Sequence, residues 1–289
     1  MNAQCWLCHL NRHVGTARAL GGEKAADQVA KELMQAYLAA PADAGSPYFG
    51  PTVTALLEKY CGISGDRYKD EKEMSNRFVL ERLDKLRSFA ESAPDPVYAG
   101  LQLAVLGNYI DFSALQGEVS FEKLEKMLAE ASKMELARNA YEALLQDLEK
   151  GKRLLYLTDN AGEIGFDRVC AQQIQKRFPH LAITFCVRGG NAANDATRED
   201  AAAMGVEFPV IDNGSCIAGT IPEMLGEEAK KAMAEADVIL SKGQANVETL
   251  LGCGYNIYYA FLIKCARFIS LFDKPKLTPM LVRELSAKP

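Results

Sequence analysis

The chain has 289 residues, of which 48% are hydrophobic and 25% are charged, with 8 cysteines, 3 histidines and a formal net charge of −5. A chain of this length and composition buries a substantial core without disulfides, which excludes disordered, fibrous and disulfide-scaffold proteins. Its apolar runs are too short to span a membrane and its first residues lack a signal-peptide pattern, so we expect a soluble cytoplasmic protein with no membrane partner.

The first half of the sequence is typical of helices. Apolar residues recur at three- and four-residue steps over residues 23–38, 72–89 and 121–148. Ser120 is a predicted helix N-cap, and Lys150 followed by Gly151 supplies a C-terminal stop. All of the net negative charge lies in this half, and neither half has a basic stripe, so we expect no nucleic-acid partner.

The second half alternates short apolar runs with helical stretches. The runs cover residues 153–158, 182–188, 206–211, 238–241 and 257–263. This alternation predicts an α/β fold with a Rossmann-like, mostly parallel sheet covered by helices, next to an N-terminal all-helical domain. We therefore predict a helical N-terminal or cap domain over residues 1–150 and an α/β catalytic domain over residues 151–289.

Polar residues follow several of the predicted strands. Asp159 and Asn160 come directly after the first strand, where a turn breaks the strand alternation and lets two adjacent oxygens converge on one cation. An Asx turn or a helix N-cap is the alternative explanation for this pair. Asp195 follows the second strand and Lys242 follows the fourth. The carboxyl ends of parallel strands share one edge, so we expect these residues to meet there.

Taken together, these segments resemble the motifs of the damage-control phosphatase family of metal-dependent phosphatases. The matching segments are residues 158–164 with Phe166 and Asp167, Asn194 and Asp195 with Thr197, residues 241–248, Asp66, Tyr68, Lys72 and Asn76, and residues 107–112. The pair Cys5 and Cys8 is similar to the N-terminal pair of the stand-alone microbial branch. One departure is Arg67, which stands where the family motif usually has proline.

The resemblance implies hydrolysis of phosphate monoesters of small metabolites, either sugar phosphates or normal or damaged phosphorylated cofactor precursors. Asp159, Asn160 and Asp195 match the metal positions, for Mg²⁺ or Mn²⁺, with Co²⁺ or Ni²⁺ as further candidates. The predicted catalytic residues are Asp159, Lys242 and Lys264, and the predicted substrate-binding residues are Glu163, Gln244, Asn246, Tyr68, Lys72, Asn76, Asn108 and Asp111. The expected partner is a small phosphorylated metabolite, and the oligomeric state is left open.

In the predicted mechanism the cation polarises a phosphoryl oxygen, while Lys242 or Lys264 neutralises charge on the phosphoryl group. The attacking group is either water or Asp159. Two rival functions are an S-adenosylmethionine-dependent methyltransferase and a non-catalytic protein that binds a phosphorylated metabolite. A methyltransferase usually has a glycine-rich loop after its first strand, where this sequence has only Gly162.

Tyr68, Lys72 and Asn76 lie at four-residue steps and share one face of a predicted helix. Exposed polar residues often show this spacing. With the family resemblance, it predicts a helical cap that reaches over the sheet edge and contributes to substrate choice.

The N-terminal cysteines allow several readings. Cys5, Cys8 and His9 spell the haem-attachment pattern, which requires export and is therefore set aside. A zinc site would need two further ligands, for which His9, His13 and Cys61 are candidates that are distant or badly spaced. A redox-sensitive thiol pair is the third reading.

Overall fold

The computed structural model describes residues 1–63, 66–115 and 119–284, and among those up to residue 150 every regular element is helical. The helices are α1 Ala3–Ala39, α2 Gly50–Cys61, α3 Lys69–Leu80, α4 Leu83–Ser92, α5 Pro96–Gly107, α6 Phe112–Leu115, α7 Phe121–Ala129 and α8 Arg138–Lys150, with short 3-10 turns at Ser46–Phe49 and Ala131–Lys133. Helix α1 bends at Gly22, whose φ of 75° suits glycine. Ser120 caps α7 as predicted, because its side chain accepts a hydrogen bond from Lys123 N.

Strands and helices alternate after residue 150. The strands are β1 Arg153–Leu157, β2 Ala182–Val187, β3 Val210–Asp212, β4 Val238–Lys242, β5 Ile257–Leu262 and β6 Pro279–Arg283. The helices are α9 Glu163–Arg177, α10 Arg198–Ala203, α11 Glu227–Glu235, α12 Gly243–Leu250 and α13 Ala266–Phe272, with a 3-10 turn at Pro222–Met224.

The six strands form one sheet in the order β3-β2-β1-β4-β5-β6. The first five strands are parallel, and β6 runs antiparallel to β5 at the edge. This topology confirms the predicted α/β fold with a mostly parallel sheet. Strand β1 leads to β2 on one side while β4 lies on its other side, so the strand order reverses between β1 and β4. In such sheets a crevice opens at this point, beyond the carboxyl ends of the strands.

Helices cover both faces of the sheet. Leu154 and Tyr156 of β1 point into a core shared with α5 and α9, whereas Leu155 and Leu157 point into a second core under α11, α12 and α13. Helix α5 is buried along its whole length and packs directly on α9, so helices from both halves of the chain share the first core. The division into domains at residue 150 stays a prediction, and residues 285–289 lie outside the described part.

A third, smaller apolar cluster holds α1 and α2 together around Val29, Leu33 and Leu57. The two helices therefore form a unit beside the larger core. Among the described helices, none combines the length and apolarity needed to cross a lipid bilayer.

Candidate active site

The loops after β1 and β2 meet at the edge where the strand order reverses. Asn160 and Asp195 form an isolated antiparallel bridge, and Ala196 N donates to Asp159 O at 2.7 Å. The Asn160 side chain is fixed from the second loop as well, because Asn194 Nδ2 donates to its Oδ1 at 2.8 Å. The structure thus brings the three predicted metal positions together.

Asp159 is buried at the centre of this crevice. Its Oδ2 accepts hydrogen bonds from Asn108 Nδ2 at 3.0 Å and from Asn160 Nδ2 at 2.8 Å. Gly243, the first residue of α12, has φ 78°, and a Cβ there would lie 2.0 Å from Asp159 Oδ2. Only glycine therefore allows the β4 loop to approach this carboxylate so closely.

Glu163 lies in the first turn of α9 and is fully buried. Its carboxylate accepts from Asn108 Nδ2 at 3.0 Å, from Asn160 Nδ2 at 2.6 Å and from Lys242 Nζ at 2.6 Å. The Lys242 ammonium also contacts Asp167 Oδ1 at 2.9 Å and donates to Ala104 O at 2.8 Å. All three ammonium donors are thereby engaged, so Lys242 acts on the site by holding Glu163 and Asp167.

Glu163, Asp167 and Lys242 form a buried group of two acids and one base, and this imbalance governs its electrostatics. Burial alone would lower the pKa of Lys242, but the carboxylates of Asp167 and Glu163 outweigh it and raise that pKa. Burial raises the pKa of Asp167 to about 7, although Lys242 pulls it down, and Glu163 adds to the rise. One ammonium cannot fully offset the charges of two buried carboxylates, so ionising Asp167 is costly.

This balance makes a pH-dependent prediction for Asp167→Asn. The folded protein holds a proton on Asp167 that the unfolded chain has already lost, so this group's stabilising contribution is present below about pH 4 and is lost as the pH rises through about 7. Relative to the variant, the wild type should lose up to about 4 kcal/mol of unfolding free energy across that window. Urea denaturation at a series of pH values measures the difference.

The matched control is Asp84→Asn, because the Asp84 side chain is 97% exposed. We expect its stability difference from the wild type to stay constant over the same pH range. A pH-independent difference for Asp167→Asn would contradict the assignment.

Arg188, which the sequence analysis missed, is the buried cation of the β2 loop. Its Nε pairs with Asp195 Oδ2 at 2.6 Å, and its Nη2 lies 3.9 Å from Asp159 Oδ1. Burial raises the pKa of Asp195 to about 6, while Arg188 opposes that rise. The sequence did contain a signal for this residue, because Arg188 is a charged residue at the end of the apolar run over residues 182–188. Such a residue at a strand end is costly to bury without a partner.

Lys264 approaches from the loop after β5. Its Nζ pairs with Asp111 Oδ2 at 2.7 Å, and its backbone N donates to Gln244 Oε1 at 2.5 Å. Burial raises the pKa of Asp159 and the charge of Lys264 opposes that rise, so the ammonium acts on the same site. In the described part of the chain its ammonium has this one hydrogen-bond partner, so two N–H donors can serve a ligand.

Asn246 links three loops. Its Nδ2 donates to Thr158 O at 3.1 Å, and its Oδ1 accepts from Thr220 Oγ1 at 2.8 Å and from Arg188 Nη2 at 3.4 Å. With its amide engaged on the protein, Asn246 fixes the crevice wall. Its predicted contact with substrate stays a prediction, as does that of Gln244.

The predicted residues of α3 dock that helix onto the crevice. Lys72 Nζ lies 2.9 Å from Asp200 Oδ2 and 3.5 Å from Asp66 Oδ2. Asn76 Nδ2 donates to Asp200 Oδ1 at 2.8 Å, and its Oδ1 accepts from Gly162 N at 2.7 Å. These contacts tie α3 to the loop after β1, which agrees with a cap over the sheet edge. The substrate-binding role of these residues stays a prediction.

The N-terminal cysteines lie on α1 as free thiols, Cys5 partly buried and Cys8 exposed. His9 is hydrogen-bonded through Nδ1 to the hydroxyl of Tyr37 at 2.6 Å. In the ranges that the structure describes, no three His, Cys, Asp or Glu side chains form a metal cluster. The redox reading of the pair stays open.

The crevice carries more acid than base. Its buried carboxylates are Asp111, Asp159, Glu163, Asp167 and Asp195, and its buried cations are Arg188, Lys242 and Lys264. Counted as ionised, the acids exceed the cations by two, and this crowding raises the pKa of Asp159 well above its usual range, by burial first and then by Asp195 and Glu163. A divalent cation would balance this excess.

The donor set also suits a hard cation. Asp159, Asn160 and Asp195 offer two carboxylates and one amide. Because only two of the three are acidic, this set agrees with the absence of any group of three or more His, Cys, Asp or Glu ligands among the described residues. Mg²⁺ commonly takes one or two carboxylates and completes its shell with water and phosphate oxygens. The residues present therefore fit the predicted metal.

Comparison with known proteins gives consistent matches along the chain. A family model described as "Damage-control phosphatase ARMT1-like domain" matches residues 1–277. An uncharacterized protein of Methanocaldococcus jannaschii is 33% identical over 276 residues, which cover 91% of this chain and 88% of that protein. A protein of Archaeoglobus fulgidus named damage-control phosphatase is 31% identical over 227 residues, or 78% of this chain and 76% of that one.

The fold has a close match among solved structures. The crystal structure of a DUF89 family protein from Pyrococcus horikoshii superposes with a TM-score of 0.82 at 26% identity, covering 98% of this chain and 99% of that chain. The likeness therefore includes the helical first half as well as the sheet.

Proposed function

Because the chain belongs to the damage-control phosphatase family, we propose that it is a metal-dependent phosphatase that hydrolyses phosphate monoesters of small metabolites. Homologues that carry the phosphatase name support the reaction class. The observation that carries the finer proposal is the crowding of Asp159, Asp195 and Glu163 at the strand-order reversal, where buried acids outnumber buried cations. A site with that charge attracts a divalent cation, and the cation in turn attracts a phosphate ester.

In this proposal Asp159, Asn160 and Asp195 hold the cation. The bound cation would supply Lewis-acid polarisation of a phosphoryl oxygen. Arg188 keeps Asp195 in place through its 2.6 Å contact, and Lys242 keeps Glu163 in place at the same distance. These positioning residues fix the site before substrate arrives, which is where most of the catalytic effect in phosphoryl transfer originates.

Lys264 is the residue we assign to the transferring phosphoryl group. Its ammonium has donors to spare, whereas the donors of Lys242 are all engaged on the protein. We assign the attack to water, because in this proposal Asp159 is a ligand of the cation and its Oδ2 already accepts two amide hydrogen bonds. Lys264 thus stabilises charge that develops on the equatorial oxygens.

The close packing of Gly162 argues against the methyltransferase alternative. A Cβ at this position would lie 2.8 Å from Ser75 Cβ, so the missing side chain makes room for helix α3. In a nucleotide-binding loop such a glycine would instead make room for the ligand. In this chain Gly162 therefore serves the packing of α3, which does not support a nucleotide-binding role for its loop.

The function is tested by phosphate release from p-nitrophenyl phosphate and a panel of sugar phosphates, each with Mg²⁺, Mn²⁺, Co²⁺ or Ni²⁺ or with chelator. We expect release that requires a divalent cation and no methyl transfer from S-adenosylmethionine. With substrate carrying labelled phosphate, attack by water should leave no label on acid-quenched protein. Binding without turnover under every metal would instead support the non-catalytic alternative.

A further inference from the structure

A cavity of about 120 Å³ lies beside the crevice that contains Asp159. Its walls come from α1, α2, residues 63 and 66–68, α6 and the loop after β2, and they include Arg12, Arg67, Tyr68 and Ser113. One ordered water needs only about 10–15 Å³ of such space. The cavity is therefore large enough for an oxyanion group of a ligand.

Three nitrogen atoms on the walls of this cavity are buried without a hydrogen-bond partner among the residues the structure describes. They are Arg12 Nε, His13 Nδ1 and Arg67 Nη1. Buried polar atoms are nearly always paired in folded proteins, so three in one cavity indicate that an acceptor belongs there. Burial, together with His9 and the two arginines, lowers the pKa of His13 to about 2, so the neutral ring can donate from Nδ1 in one tautomer.

The cavity also carries unbalanced positive charge. Neither Arg12 nor Arg67 forms an ion pair with a carboxylate in the described ranges; Arg67 Nη2 donates to the hydroxyl of Tyr68 at 3.2 Å. Asp66 is the one described acid on the cavity wall, and it is shared with Lys72 at 3.5 Å and with Tyr68 N at 2.9 Å. Two guanidinium groups without counter-ions select an anion, and their planar donors suit phosphate or carboxylate.

The cavity wall is connected to the crevice by two hydrogen bonds. Ser113 N donates to Asn194 Oδ1 at 3.2 Å, and Asn194 Nδ2 donates to Asn160 Oδ1 at 2.8 Å. Asn160 is one of the residues assigned to the cation. The cavity wall and the assigned cation site are therefore linked through one residue, Asn194, which places the cavity next to the crevice.

We propose that the cavity lined by Arg12, His13 and Arg67 is the subsite for a second anionic group of the substrate. This inference rests on the proposed phosphatase function and narrows its substrate class. The substrate is a small metabolite with the phosphate ester that is hydrolysed at one end and a phosphate or carboxylate at the other. Metabolites with a single phosphate leave the subsite without an anion and bind more weakly.

The test compares fructose bisphosphate, which is phosphorylated at both ends, with fructose phosphate, which is phosphorylated at one end. The double variant R12Q/R67Q should raise the KM for fructose bisphosphate by about tenfold or more and leave the KM for fructose phosphate unchanged. The rate with p-nitrophenyl phosphate and the melting temperature report on folding. The matched control is R138Q, since Arg138 is an exposed residue of α8 paired with Glu142.

Equal losses on both fructose substrates, or no loss on either, would overturn the subsite. If the wild type releases no phosphate from any substrate with any metal, the phosphatase proposal fails, and calorimetric titration with fructose bisphosphate then decides the subsite separately. Wild-type binding that R12Q/R67Q abolishes supports the subsite. Equal binding by both proteins, or no binding by either, overturns it.

Discussion

Asp159→Asn should reduce metal-dependent phosphate release by about a hundredfold or more, because it removes a carboxylate assigned to the cation. Measured with chelator, the melting temperature should stay the same or rise. The carboxylate is buried near Asp195 and Glu163, both of which oppose its ionisation, and the amide removes that repulsion without changing volume. Lost activity with retained or raised stability separates a role in the reaction from a role in folding.

Three measurements on Asp159→Asn make this prediction specific: the phosphate-release rate, calorimetric titration with Mn²⁺ and thermal unfolding without metal. The control is Asp212→Asn, because Asp212 also ends a parallel strand but pairs with the exposed Arg198 at 2.7 Å. We expect the control to keep both its rate and its metal affinity. If Asp159→Asn releases phosphate at the wild-type rate, Asp159 does not act at the reaction centre.

Lys242→Met should destabilise the protein by about 3–5 kcal/mol, because it leaves two buried carboxylates without their cation. Lys242, Glu163 and Asp167 are all fully buried, and the two contacts of the ammonium are 2.6 and 2.9 Å long. Activity should fall as well, because Glu163 loses the contact that positions it. Urea denaturation gives the free energy, and phosphate release gives the second readout.

A second variant distinguishes charge imbalance from poor packing. Adding Asp167→Asn to Lys242→Met removes one of the two buried acids left without their cation and should recover part of the lost stability. Lys230→Met serves as the surface control, since its side chain is 43% exposed and its loss should change stability by no more than about 0.5 kcal/mol. If the double variant is as unstable as Lys242→Met alone, the cost comes from packing.

Hydrophobic periodicity predicted the elements better than their ends. The helical pattern over residues 72–89 spans the two helices α3 and α4, and that over residues 121–148 spans α7 and α8. Each pair of helices packs against the same core, so the apolar period continues across the break. The antiparallel edge strand β6 was not predicted, because its apolar run covers only residues 279–282 and begins at Pro279, a residue that counts against a strand.

The loops of the site were predictable because parallel strands carry their carboxyl ends to one edge. That rule placed Asp159, Asn160, Asp195 and Lys242 together from chain order alone. It did not distinguish the two lysines. Lys242 lies inside the protein with its donors engaged, whereas Lys264 has donors to spare, and this difference depends on α5 and α9 packing over β4.

The sequence by itself determined the fold class and the edge of the sheet where polar residues gather, because periodicity and strand-end polarity are local properties of the chain. Only the tertiary structure decided which charges are paired. Lys242 between two acids and the unpaired guanidiniums of Arg12 and Arg67 depend on segments that are far apart in sequence, and Arg188 meets Asp195 through the folding of the loop after β2. Burial determines how strongly each of these charges affects the stability of the protein, and burial is a property of the folded chain as a whole.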